Sequence, residues 1–264
     1  MTIWVGFEQL LTCLGQVEYI FSDKTGTLTS NLMELRRVSI NGVLYGSMYL
    51  NASEQKARMQ DEKMMRTTLA KICDTQYLSN DLSFVDVTLH QHLLEGGLHA
   101  VRIREFFTLL AICHTVFTEI PDPDFPHKLL YKAQSPDESA LVTSAKDVGF
   151  TFLSRSENTV TVNILGEVRS YEILKIMEFN SDRKRMSILM KRPEGEIVLM
   201  CKGADSVVLE RLKPETDPVL KETTNIHLSG FANAGEFIGF SIKADLQDFE
   251  LFAWLLELYP RTNT

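Results

Sequence analysis

Five apolar or alternating runs, near residues 150–154, 159–165, 168–178, 185–191 and 197–201, follow one another with only short connections. Two of the links, Gly166-Glu167 and Pro193-Glu194-Gly195, are built from turn-forming residues. A link that brief joins antiparallel neighbours, because a parallel pair needs a crossover of a dozen or more residues. The middle of the chain is therefore predicted to be an antiparallel sheet. Helices accompany it: one from Pro136 to about Asp147, a buried one over 102–116, and a surface helix within 51–73 marked by Met65, Leu69 and Ile72. A strand is expected at 129–134, after a loop that Pro121, Pro123 and Pro126 keep from being helical. Sheet and helices in this order make an α+β arrangement.

The start of the chain follows a different pattern. Val17-Glu18-Tyr19-Ile20-Phe21-Ser22 is a β-branched and aromatic run that stops at Asp23-Lys24-Thr25-Gly26-Thr27. A short buried strand ending in a polar, glycine-containing turn is an α/β feature that holds a reactive group at a sheet's carboxyl end. Next, runs at 35–40 and 43–45 flank Asn41-Gly42, the strongest short signal for a two-residue hairpin. The expected fold is thus α/β followed by α+β, changing near this hairpin. Beyond residue 223 the pattern weakens, and 244–259 reads as a nearly all-apolar helix that needs burial or a partner.

Charge and composition narrow the function. With 27 basic against 35 acidic residues the chain carries a formal charge of −8, which disfavours nucleic acid, since neutralising phosphates requires a basic surface. At 44% hydrophobic and 23% charged it has a globular rather than a disordered composition. The most apolar charge-free stretch, 106–118, is shorter than the roughly 20 residues of a membrane span and reads as a buried helix. No basic start followed by an apolar run marks a leader peptide. Cys13, Cys73, Cys113 and Cys201 are widely spaced, so they read as reduced, buried thiols of a cytoplasmic chain and not as a zinc site.

Asp23 carries the clearest chemistry. A carboxylate can attack a phosphoryl group and form an aspartyl phosphate, dividing the transfer into two easier steps. Lys24 would offset phosphate charge, Gly26 would let the backbone approach closely, and the hydroxyls of Thr25 and Thr27 would donate hydrogen bonds. A magnesium ion is needed to bring an anionic carboxylate to an anionic phosphate. Ser22-Asp23-Lys24-Thr25-Gly26-Thr27-Leu28-Thr29 resembles the phosphorylation motif of the P-type ATPases, whose phosphorylation domain has a haloacid-dehalogenase-like fold. Related soluble phosphatases carry an acid at the second position after the nucleophile, where this chain has Thr25, so the resemblance implies a long-lived intermediate.

Three further segments are individually ordinary. Ser135-Pro136-Asp137-Glu138 reads as a capping box, with Ser135 at the N-cap and Glu138 three residues on. Arg183-Lys184-Arg185 reads as a solvated basic turn, and Lys202-Gly203-Ala204 as a strand-to-helix connection. Together, Gln134-Ser135-Pro136-Asp137-Glu138, Glu178-Phe179-Asn180-Ser181-Asp182-Arg183-Lys184-Arg185-Met186-Ser187 and Lys202-Gly203-Ala204-Asp205 resemble, in order and spacing, the nucleotide-binding domain of the type IV branch, the phospholipid flippases. The resemblance covers residues 14–222.

That resemblance implies a set of roles. Asp23 is the phosphorylated nucleophile, Asp23 and Thr25 bind Mg²⁺, and Asp23, Lys24 and Thr25 meet the terminal phosphate of ATP. Phe179 stacks on adenine, Glu138 meets its amino edge, Lys202 lies at the base of the pocket, and Lys184 or Arg185 approaches the phosphates. Residues 1–35 would begin the phosphorylation domain, 36–222 would form the inserted nucleotide-binding domain, and 223–264 would be a diverged segment. The family's Thr-Gly-Glu, Thr-Gly-Asp and Gly-Asp-Gly-x-Asn-Asp segments do not occur, and Gly235-Glu236-Phe237-Ile238 stands where Gly-Leu-Arg-Thr is expected. The implied function is the ATP-binding and phosphorylation portion of an ATP-driven phospholipid translocase on the cytoplasmic side of a membrane, not competent for transport alone. Phospholipid and an accessory membrane subunit are partners of the full-length family. Two other readings remain: a soluble phosphatase using Asp23, and a non-catalytic module docking through its apolar tail at 246–258.

Overall fold

The computed structural model describes residues 33–46, 63–65, 67–69, 71, 84–119, 129–212, 216–233, 237–245 and 254–260; for 232–233, 237–245 and 254–260 it describes the backbone only. The chain divides into two units. The one described here runs from Met33 to Tyr259, and the other comprises Met1–Leu32 with Pro260–Thr264.

The turn Asn41-Gly42 forms with φ of 50° and 78°, the paired positive values of a type I′ hairpin turn. It joins β1 (Met33–Ile40) to β2 (Val43–Gly46) with Ile40 opposite Val43. Two helices follow that meet at a corner, α1 (Val87–Glu95) and α2 (Gly97–Ile112). Gly96 and Gly97, with φ of 76° and 77°, make that corner possible, since side-chain-bearing residues rarely adopt two successive left-handed conformations. A small ladder of β3 (Phe117–Glu119) and β4 (Leu130–Lys132) leads to α3 (Pro136–Asp147).

Then come the predicted strands: β5 (Phe150–Arg155), β6 (Thr159–Ile164), β7 (Glu167–Met177), β8 (Arg185–Lys191) and β9 (Ile197–Gly203), each antiparallel to the next. A short α4 (Asp205–Leu209), the longer α5 (Pro218–Asn233), β10 (Phe237–Asp245) and β11 (Trp254–Pro260) complete the order. Nine strands share one sheet in the order β2-β1-β11-β10-β9-β8-β7-β6-β5.

One face of this sheet makes the core. Val160 and Val162 of β6, Met186, Ile188 and Met190 of β8, and Val198 and Met200 of β9 are buried at alternate positions, as the period of two requires. Against them packs α2, whose Phe106, Phe107, Leu109 and Ile112 are fully buried. Phe107 meets Phe106 edge-on at 4.9 Å and Phe150 at 5.7 Å. Burial of one such ring contributes up to about 3 kcal/mol, so this cluster anchors helix to sheet.

Three expectations change, and that of a surface helix within 51–73 is met in its described residues. The buried helix predicted over 102–116 begins earlier and ends at Ile112. Of the helix expected over 244–259, the described residues 244–245 and 254–259 are strand instead, with β10 pairing with β9 and β11 with β10, while 246–253 lie outside the described residues. A run apolar on every side satisfies a doubly flanked strand as well as a buried helix, and periodicity cannot separate the two. Within 51–73, residues 63–65, 67–69 and 71 are helical and Leu69 is buried, the rest lying outside the described residues. Cys113 is a buried free thiol, whereas Cys201 is free but only partly covered; Cys13 and Cys73 lie outside the described residues.

Candidate functional site

Lys202 occupies the core-facing register of β9, the same alternation that buries Val198 and Met200. A lysine there must find an anion. It finds Glu138 at the first turn of α3, with Nζ donating to Oε1 at 3.0 Å; the two side chains are 13% and 16% exposed. Ser135 caps that helix by accepting from the Asp137 N–H at 3.2 Å, and Pro136 takes the first helical position. The reciprocal half of the expected capping box is not used, because the Glu138 carboxylate turns into the site.

Its second oxygen is held from another direction. Thr115, just past α2, donates its backbone N–H at 3.1 Å and its hydroxyl at 2.6 Å to Glu138 Oε2. Burial by itself would raise the Glu138 carboxyl, but the Lys202 charge and the Thr115 hydrogen bonds outweigh it and hold the group below the usual carboxylate range. Asp137 beside it moves the other way, raised by burial and by the Glu138 charge despite Lys202.

The β7–β8 loop lies at the same sheet end. Asn180 organises it: its side-chain oxygen accepts the Arg183 N–H at 2.7 Å and its carbonyl accepts the Lys184 N–H at 2.8 Å. Arg183 extends the brace, donating to the Glu178 carbonyl and to Ser187 Oγ, each at 3.2 Å. Lys184 has φ of 50°, and its carbonyl accepts the Ala204 N–H at 3.0 Å, tying the loop to the end of β9. Gly203 makes that approach possible. A Cβ there would stand 2.5 Å from Arg185 Cβ and 2.6 Å from the Lys184 carbonyl oxygen, closer than atoms can pack.

The loop also presents Phe179 with 62% of its surface exposed, an unusual setting for so apolar a side chain. Glu138 and Lys202 are thus in direct contact, Lys184 is fastened beside them through its backbone, and Phe179 projects from the same loop. Lys202 stands within β9, not beyond its end as expected. Asp23, Lys24 and Thr25 lie outside the described residues. Among the described residues no cluster of three or more His, Cys, Asp and Glu side chains has metal-holding geometry.

Thr115 was missed by sequence reasoning, as were the groups that hold it. It sits 23 residues before Glu138, at the tail of the segment whose pattern predicts a buried helix. Arg155 donates to the Ile112 carbonyl at 2.7 Å and to the His114 carbonyl, and the His114 ring braces the same turn. No local sequence signal marks such long-range partners.

In chemical terms, an open aromatic face at the same sheet end as a fixed carboxylate acceptor and a lysine suits a flat heterocyclic base bearing an amino group. Residues 103–216 match the family model described as P-type ATPase, cytoplasmic domain N. The chain is 45% identical over 224 residues to the Phospholipid-transporting ATPase IC of Xenopus tropicalis, covering 84% of this chain and 16% of that protein. It is 44% identical over 222 residues to the Phospholipid-transporting ATPase ID of Mus musculus, covering 84% and 17%. Against the Phospholipid-transporting ATPase dnf2 of Schizosaccharomyces pombe it is 39% identical over 262 residues, covering 91% and 18%. The chain therefore spans less than a fifth of the length of these curated relatives.

Proposed function

We propose that this chain, a relative of the phospholipid-transporting P-type ATPases, is the ATP-binding and aspartyl-phosphorylation portion of an ATP-driven phospholipid translocase. The observation that carries the reading is the Glu138–Lys202 pair at 3.0 Å, set at the sheet end from which Phe179 projects. Phe179 would stack on adenine, Glu138 would accept from its amino group, Lys202 would close the pocket floor, and Lys184 or Arg185 would reach the phosphates.

Residues 1–35 would begin a haloacid-dehalogenase-like phosphorylation domain and 36–222 would form the nucleotide-binding domain, with strands from 223–264 pairing into its sheet. In the phosphorylation step an Asp23 carboxylate oxygen would bond to the terminal phosphorus as the bond to ADP breaks, and ADP would leave. Mg²⁺, held by Asp23 and Thr25, would offset the repulsion between carboxylate and phosphate. Phospholipid transport and an accessory membrane subunit would belong to the full-length protein. Among the described residues no helix is long and apolar enough to cross a membrane.

ATP titration of the 264-residue chain tests the nucleotide reading. Phe179→Ala is expected to weaken binding by roughly tenfold or more, since stacking contributes about 1–3 kcal/mol per base. Lys202→Ala is expected to abolish detectable binding, because it also leaves Glu138 an unpaired, half-buried charge. Equal affinity in the unaltered chain and both variants would refute the pocket. The phosphorylation reading has its own test, labelling with γ-labelled ATP and Mg²⁺ followed by acid quench. A label that hydroxylamine removes and Asp23→Asn never acquires supports it.

A further inference from the structure

We infer that Thr115 is a positioning residue for base selection, fixing the Glu138 carboxylate so that Oε1 keeps one free acceptor for an amino group; this rests on the nucleotide reading above. A carboxylate can accept about four hydrogen bonds, two on each oxygen. Here Oε2 takes two from Thr115, the N–H at 3.1 Å and the hydroxyl at 2.6 Å, and Oε1 takes one from Lys202 at 3.0 Å. Three of the four positions are occupied. The vacant one is on the oxygen that Lys202 already marks as facing the site.

Two donors from one residue fix the carboxylate plane in a way that a single flexible ammonium cannot. Without the hydroxyl only the Thr115 N–H still holds Oε2, so Glu138 turns more readily toward Lys202 and the oriented acceptor is weakened. Chemistry then predicts selectivity. An exocyclic amine donates to a vacant acceptor, whereas an oxo group at the same ring position sets acceptor against acceptor.

Thr115 is itself held firmly. The Arg155 guanidinium clasps the carbonyls of Ile112 and His114 on either side of Cys113 and lies 5.5 Å from the Phe152 ring. His114 Nε2–H donates to the Ala111 carbonyl at 2.9 Å, and Nδ1 accepts the Val116 N–H at 3.1 Å. The turn carrying Thr115 is therefore pinned on both sides, and its two donors arrive at Glu138 from a fixed frame.

The experiment titrates the full chain and its Thr115→Val, Thr115→Ser and Phe179→Ala variants with ATP and with GTP across acidic to neutral pH. Thr115→Val exchanges the hydroxyl for a methyl group and keeps the backbone N–H in place. It is expected to weaken ATP by about tenfold with GTP unchanged, and to raise the pH at which ATP binding begins to fail, because the carboxylate loses a hydrogen bond that favours its charged form. Thr115→Ser, which restores the hydroxyl, is expected to stay within about twofold of the unaltered chain. Equal loss for both nucleotides, with no movement on the pH axis, would mean a merely structural residue and overturn the assignment. A measurement on the unaltered chain stands apart from variant folding: the Thr115 hydroxyl proton should exchange slowly with solvent by NMR, and fast exchange overturns the proposal. If the unaltered chain binds no ATP, or Phe179→Ala changes nothing, the nucleotide reading fails and this one with it. ATP binding that responds to Phe179→Ala but not to Thr115→Val defeats the Thr115 role alone.

Discussion

His114 is completely buried, and its ring nitrogens have opposite duties, one donating to Ala111 and the other accepting from Val116. Only the neutral ring can do both. Burial, reinforced by the Arg155 and Lys202 charges, pushes its pKa down to about 3 from an ordinary 6.5. The folded state therefore binds fewer protons than the unfolded chain between those values, and stability falls as pH drops through that window, by up to about 1.4 kcal/mol per pH unit for one proton. His90, His99 and His227 are also lowered, each chiefly by burial, and add in the same direction. Urea melts between pH 7 and pH 5 should show a falling midpoint, and His114→Gln should flatten that slope; an unchanged slope would contradict a neutral buried ring. Gly203 offers a second residue-scale test. Gly203→Ala places its Cβ against Arg185 and the Lys184 carbonyl, so it should cost about 1–3 kcal/mol by thermal melting and weaken ATP by forcing β8 and β9 apart at the site.

At the scale of elements, α3 joins stability and site because its first turn carries both the cap and Glu138. Ser135→Ala should lower stability by about 1 kcal/mol, read from denaturant midpoints, and should weaken ATP as the first turn frays. A variant with intact ATP affinity would show that Lys202 and Thr115 hold Glu138 without the cap. This helix was legible from Ser135, Pro136 and the periodicity that follows, as was the hairpin from Asn41-Gly42 and the series β5 to β9 from alternation and turn residues. Those signals are local, each written within a dozen residues. What could not be read depends on distant partners. The turn of Glu138 away from its capping role is decided by Lys202 and Thr115, which meet it only after folding, and β11 is a strand because of where the sheet places it. Helix α1 was missed for a related reason: its cap, Asp86 accepting from the Leu89 N–H at 2.8 Å, follows residues with no preceding periodicity to mark a boundary.

For the described unit as a whole, the sheet is organised from one edge, where sequence neighbours pair. β5 to β9 pair each with its successor across short links, while the two outer strands are poor templates for further pairing. β2 has four residues, and β5 carries a register shift between Phe152 and Ser154. The remaining seam is of another kind. β1 ends at Ile40, yet its neighbour in the sheet is β11, which begins at Trp254. Closing so long a loop costs more entropy than any hairpin of β5 to β9, so this ladder should form last. Pulsed hydrogen exchange during refolding should protect β6 to β8 amides before those of β1, and simultaneous protection would argue against it. During synthesis the consequence is a waiting period. A ribosome that has released β1 must complete more than two hundred further residues before β11 emerges, and until then one flank of the hairpin presents unpaired N–H and C=O groups to the cell.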